Sequence, residues 1–157
     1  MKKYIVFLLA MVLLVSVAGC SATSAAGSED PDNVIITLER TACFGFCPVY
    51  KITIHGDGTV IYEGKEFVET QGKAETTIDQ EKIKQLISEF EEIDYFSLQD
   101  EYTERTITDA SSAITSITID GKTKTVEHYH GDFNAPEGLT ELEDRIDEIV
   151  NSEQWIQ

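Results

Sequence analysis

The chain has 157 residues, with 12 Lys and Arg against 29 Asp and Glu and a formal net charge of −17. That length holds one domain, and 41% apolar with 26% charged residues excludes a chain that is disordered throughout. Twelve cations scattered among more than twice as many carboxylates exclude a protein that grips nucleic-acid phosphates.

Lys2 and Lys3 precede an uncharged, mostly apolar run from Tyr4 to Ala18, which is the layout of a secretory signal and too short for a comfortable membrane span. Val17-Ala18-Gly19-Cys20 resembles a prokaryotic lipobox, in which the cysteine is lipidated and becomes the first mature residue. The reading is a lipoprotein signal peptide over 1–19, a lipidated Cys20 with a flexible tether over 20–33, and a single domain over 34–157. The alternatives are an ordinary signal peptide cleaved near Ala18 or Ala22, or an uncleaved anchor. Without Lys2 and Lys3 the mature body has 10 cations against 29 acids, a net −19, so anionic headgroups repel it and the lipid must anchor it. The protein is thus expected to be exported and membrane-anchored, periplasmic or at the cell surface. Ser21 points to the outer membrane only in a host that has one.

Val34 to Leu38 is a β-branched run that predicts a strand. Tyr50, Ile52 and Ile54 alternate with Lys51 and Thr53, His55-Gly56-Asp57-Gly58 supplies a turn, and Val60 and Tyr62 resume the alternation, so residues 49–68 read as a hairpin. Gly72 marks the next break. Ile83, Leu86, Ile87, Phe90 and Ile93 recur at helical spacing, with Asp79 placed as N-cap and Ile78 placed to staple onto Ile83; the expected helix spans 79–93. Tyr95 to Leu98 should pack, and Gln99 to Ser112 reads as a polar connection. A second hairpin runs from Ile114 to Ile119, through Asp120-Gly121, to Lys124 to Tyr129, with a register that the pattern does not fix. Asn134-Ala135-Pro136-Glu137 opens a last helix with the stripe Leu139, Leu142, Ile146, Ile149 and Val150, and Trp155 and Ile156 close the core. The order β-ββ-α-ββ-α predicts an α+β fold: an antiparallel sheet of about five strands with two helices packed on one face. Ile52-Thr53-Ile54 and Ile117-Thr118-Ile119 give weak support to a duplicated ββα unit.

Thr41-Ala42-Cys43-Phe44-Gly45-Phe46-Cys47-Pro48-Val49-Tyr50, with the Gly56-Asp57-Gly58 turn and Tyr62-Glu63-Gly64, resembles a family of small lipoproteins catalogued only as domain of unknown function 6438. His128-Tyr129-x-Gly131 and the run through Pro136, Leu139, Leu142-Glu143, Ile146-Asp147 and Trp155 are similar to that family's C-terminal half. The resemblance implies a domain boundary and an envelope setting, and no activity comes with it.

Cys43 and Cys47 lie in an inter-strand connection of an exported chain, where an oxidising compartment favours a disulfide and Gly45 lets the small ring close. Free thiols, redox chemistry and metal binding are the alternatives. Catalytic thiol chemistry is disfavoured because Cys47 leads into Pro48 and a strand instead of a helix N-terminus, and Arg40 is the only nearby cation. A metal would draw on His55, His128 and His130, the three histidines, which with Cys43 and Cys47 offer up to five ligands, although no standard ligand spacing is present. There is no serine nucleophile elbow, phosphate loop or zinc-protease motif, so no catalytic residue is assigned. Asp109 reads as a turn residue, and Glu141, Glu143, Asp144, Asp147 and Glu148 as a solvated helix face.

The function this favours is non-enzymatic: a lipid-anchored domain, without cofactor, that binds a protein or small ligand through Phe44, Phe46 and Tyr50, the alternative for Phe44 and Phe46 being that both tuck into the edge of the core. The alternative is an envelope thiol-redox or metal-handling protein using Cys43 and Cys47.

Overall fold

A computed structural model describes residues 33–157. The expected signal peptide, the expected lipidation site Cys20 and all but the end of the expected tether lie outside the described residues. No helix among the described residues is long and apolar enough to cross a membrane.

The alternating segments form one sheet around a central strand, β1 (Ile35–Arg40), which pairs antiparallel with both β2 (Val49–His55) and β6 (Ser112–Ile119). With β3 (Thr59–Glu66), β4 (Gly72–Thr77), β5 (Glu101–Tyr102) and β7 (Lys122–Tyr129), the order is β4-β3-β2-β1-β6-β7-β5. Seven strands replace the expected five, and the sheet is mixed because β5 runs parallel to β7. The two added strands are its edges. β4 reads Gly-Lys-Ala-Glu-Thr-Thr and buries little on either face, so it carries no apolar alternation to find. β5 is two residues in the polar connection, secured by the buried Tyr102.

Ile36, Leu38, Ile52, Ile54, Val60, Tyr62, Ile117 and Val126 share the inward face of the sheet. Against it pack α1 (Gln80–Glu92), through Ile83, Leu86, Ile87 and Phe90, and α2 (Glu137–Val150), through Leu139, Leu142, Ile146, Ile149 and Val150. This is the expected two-layer arrangement, to which a short third helix, α3 (Glu153–Ile156), is added. α3 places Trp155 in the core, its ring stacked at 4.6 Å on Tyr62, which lies 5.6 Å from Tyr50. Asp79 takes the N-cap position of α1 without a side-chain bond to the helix. Tyr95, after α1, donates its buried hydroxyl to the Thr115 carbonyl at 2.8 Å, tying the helical layer to β6.

The β3–β4 turn folds back so closely that a Cβ on Gly64 would sit 2.0 Å from the Thr70 carbonyl oxygen. Backbone cannot yield as a flexible side chain can. Gly64→Ala is therefore expected to lower unfolding free energy by about 2 kcal/mol in urea denaturation, while Gly72→Ala, with open space around its Cβ, acts only through its positive φ of 85°.

Candidate functional site

Directly opposed residues of antiparallel strands lie on the same face of a sheet, and the register here aligns His128, Ala113, Arg40, Tyr50 and Gly64 in one row across five strands. The row sits on the inward face, continuing the parity of Ile36 and Leu38 in β1 and of Val126 in β7. A guanidinium therefore points from the central strand into the interface between layers. Such a charge is costly unless paired.

α2 supplies the partners. Arg40 donates from Nε and Nη2 to Asp147 Oδ2 at 3.2 and 2.9 Å and from Nη2 to Asp144 Oδ1 at 3.0 Å, and its Nη1 lies 3.6 Å from Glu143 Oε2. Tyr50 donates its hydroxyl to Asp147 Oδ1 at 2.7 Å. Glu143, wholly buried, receives His128 Nδ1 on Oε1 and His130 Nε2 on Oε2, both at 2.9 Å. One helix thus presents three carboxylates to a cation, a phenol and two imidazoles from three strands of the sheet and their flanks.

Burial opposes ionisation of Glu143, but the hydrogen bonds from His128 and His130, with Arg40 nearby, outweigh it and hold the carboxyl below its ordinary range. Burial likewise opposes the charge on Arg40, and Asp147, Tyr50 and Glu143 more than offset it, raising that pKa. Burial, then Asp147, push the Tyr50 phenol up, so it serves as a donor. An ionised carboxylate only accepts, so the protons lie on His128 Nδ1 and His130 Nε2. The remaining nitrogen of His130 faces the Ser111 hydroxyl at 3.4 Å. The remaining nitrogen of His128 has no hydrogen-bond partner among the described residues and is not among their sealed, unpartnered polar atoms. His128 and His130 line a cleft of about 470 Å³ with Asp132, Phe133, Ala135, Thr140 and Asp144.

Glu143 and Asp147 correct the sequence reading, which put them on a solvated face; Glu141 and Glu148 are indeed exposed. The signal was available. Glu143 lies four residues after Leu139, flanking the apolar stripe, and Arg40 shares parity with Ile36 and Leu38. Each clue needed the other element to give it meaning.

Cys43 and Cys47 form a disulfide with Cα atoms 5.7 Å apart. Phe44 and Phe46, within the closed ring, are 87% and 86% exposed, and Phe46 meets the Phe67 ring edge-on at 5.3 Å. Tyr50 is only 4% exposed, because its parity turns it into the network, so it does not join them as a contact residue. His55 pairs with Ile35, at the far end of β1 from Arg40. The structure therefore does not assemble the ligand set of three histidines and two thiolates. It brings together His128, His130 and Glu143, whose ligand atoms lie within 4.8 Å of one another. Asp109 has a left-handed φ of 72°, and its carbonyl accepts the Phe44 amide, a turn role.

Residues 34–150 match the family described as Domain of unknown function (DUF6438), and the chain belongs to that family. No curated protein matches the chain.

Asp147→Ala would leave both Arg40 and the Tyr50 hydroxyl without their main acceptor. It should lower stability by about 3 kcal/mol in denaturant unfolding, with a smaller loss for Asp147→Asn. Because the folded-state pKa of Glu143 is depressed, its contribution is complete above the unfolded value of about 4.3 and fades as pH falls through the folded value. In metal-free buffer the stability difference between the native chain and Glu143→Gln should therefore be full at pH 7 and shrink below about pH 4.

Proposed function

We propose that this DUF6438 domain is a lipid-anchored, extracytoplasmic interaction module that recognises a protein surface through the loop closed by Cys43 and Cys47. The observation that carries this reading is the exposure of Phe44 and Phe46. Two large aromatic rings left in water contribute nothing to the domain's own core, and such residues are the commonest anchors of protein interfaces. A small molecule needs a concave site to cover most of its surface, whereas both rings here stand out from the domain, which favours a protein partner.

The loop is held before any partner arrives. The disulfide closes a five-residue ring, and the Phe44 amide donates to the Asp109 carbonyl at 3.2 Å. A closure this short adds little through chain entropy, so the bridge serves to shape the loop, and a preformed loop loses less entropy on binding. Phe67 from the β3–β4 turn, Ile107 from the loop before β6 and Phe133 from the loop before α2 are also exposed at this end of the sheet. The lipobox at Val17 to Cys20 supports tethering by lipid, and the acidic body suits a partner with basic surface around an apolar pocket.

The thiol-redox alternative loses support from Arg40. Arg40, three residues before Cys43, is turned inward onto Asp147 and Asp144, so it is not placed to stabilise a thiolate on the loop.

A photo-crosslinking residue in place of Phe44, in the full chain expressed in its host, should give a discrete adduct with one envelope protein. Phe46→Ser should abolish that adduct, and Phe44→Ser with Phe46→Ser should leave Tm within about 2 °C of the native value. An adduct pattern matching that of the same residue at Lys122, the exposed first residue of β7 at the opposite end of the sheet, would overturn the reading, as would a steep fall in Tm. Cys20→Ala should move the protein from the membrane to the soluble fraction, and retention on the membrane would refute the lipid anchor.

A further inference from the structure

We propose that His128, His130 and Glu143 form a binding site for a divalent transition-metal ion of the zinc class, opening onto the cleft beside α2. Two imidazoles and a carboxylate are the donor types such ions choose, whereas magnesium and calcium take oxygen ligands throughout. The three residues come from β7, the residue just beyond it, and α2, so only the packed layers bring them together.

Three observations carry the site. One ligand atom from each residue lies within 4.8 Å of the other two. A tetrahedral ion with bonds near 2.1 Å needs ligand atoms about 3.4 Å apart, so the set closes by about an ångström around an ion. His130, with 29% of its side chain exposed, stands on the rim and can supply that movement. Second, the cleft leaves room for a further ligand such as water, and it is lined on its other sides by Asp132, Thr140 and Asp144. Third, the protons have somewhere to go. When His130 Nε2 ligates, its proton moves to Nδ1, where the Ser111 hydroxyl accepts it, and that outer-shell bond is of the kind that orients a metal-bound imidazole. When His128 Nδ1 ligates, its proton moves to Nε2, the nitrogen without a partner among the described residues.

Arg40 opposes the ion, with Nη1 3.4 Å from His130 Nε2 and 3.6 Å from Glu143 Oε2, so His130 must turn away from the guanidinium to ligate. Its charge is met by Asp147, however, and Glu143 and Asp144 then leave a surplus of two negative charges when the imidazoles are neutral. A dication cancels that surplus. The site does not depend on the aromatic loop, so the two proposals stand or fall separately.

The full chain in detergent, freed of metal by chelation, should bind one equivalent of zinc in calorimetric titration. Cobalt substitution should give visible absorption of the strength expected for four-coordination. His130→Ala and Glu143→Gln should each weaken zinc at least ten-fold, His55→Ala should leave it unchanged, and millimolar magnesium should not compete. Absence of stoichiometric binding would overturn the proposal, as would zinc affinity that survives both substitutions, which is the mark of scattered surface carboxylates. Should either variant fail to fold, X-ray absorption of the zinc-loaded native chain decides the matter: two imidazoles in the coordination shell support the site, and an all-oxygen shell refutes it.

Discussion

An arginine on the inward face of the central strand is the constraint around which the rest of this domain is arranged. Arg40 follows Ile36 and Leu38 at the strand period, so its side chain enters the space between sheet and helices. Its charge must be met there. Asp147 meets it with two hydrogen bonds and binds Tyr50 with its second oxygen, while Glu143, one helical turn earlier, reaches the two histidines. Together these bonds fix where along its axis α2 crosses the sheet. A buried ion network of this kind adds little net stability over apolar packing, because desolvation offsets most of the attraction. What it adds is a penalty on every other placement of the helix, since a slip of one turn would strand at least one buried charge.

The consequences run in both directions along α2. Toward its C-terminus the crossing carries the chain through the left-handed Asn151 into α3, which sets Trp155 on Tyr62 and lets the Trp155 carbonyl accept the Thr70 amide of the β3–β4 turn. Toward its N-terminus it closes one wall of the cleft beside His128 and His130. The same end of the sheet gathers the loops at 41–48, 67–71, 103–111 and 130–136. Charge is concentrated beneath this end and exposed apolar side chains above it. The opposite end, with the Gly58 and Gly121 turns, has tight connections and carries His55 alone of the histidines.

Two chemistries thus share one end of the molecule without sharing residues. The loop around Phe44 and Phe46 offers apolar area on a short covalent ring. The histidine cluster offers directed lone pairs in an acidic recess. Tyr50 belongs to neither surface: it lies under the loop that ends at Pro48, and its hydroxyl is committed to Asp147.

What the amino-acid order determined by itself was local: the alternation of β2 and β3, the existence of β1 and of the β6–β7 hairpin, the stripes of α1 and α2, and the closeness of Cys43 to Cys47. Each is a matter of periodicity or short separation, which nearest neighbours in sequence already express. The two edge strands were hidden for the converse reason. β4 packs neither face deeply and β5 is two residues long, so their place comes from backbone hydrogen bonds to a strand already present. The polar cluster was hidden because its members lie up to 107 positions apart in sequence. Glu143 beside Leu139, and Arg40 after Leu38, look like the ordinary polar edges of amphipathic elements. Only the register of four strands and the crossing of α2 turn those edges toward each other, and a charge becomes a buried partner instead of a solvated one when a second element removes the water.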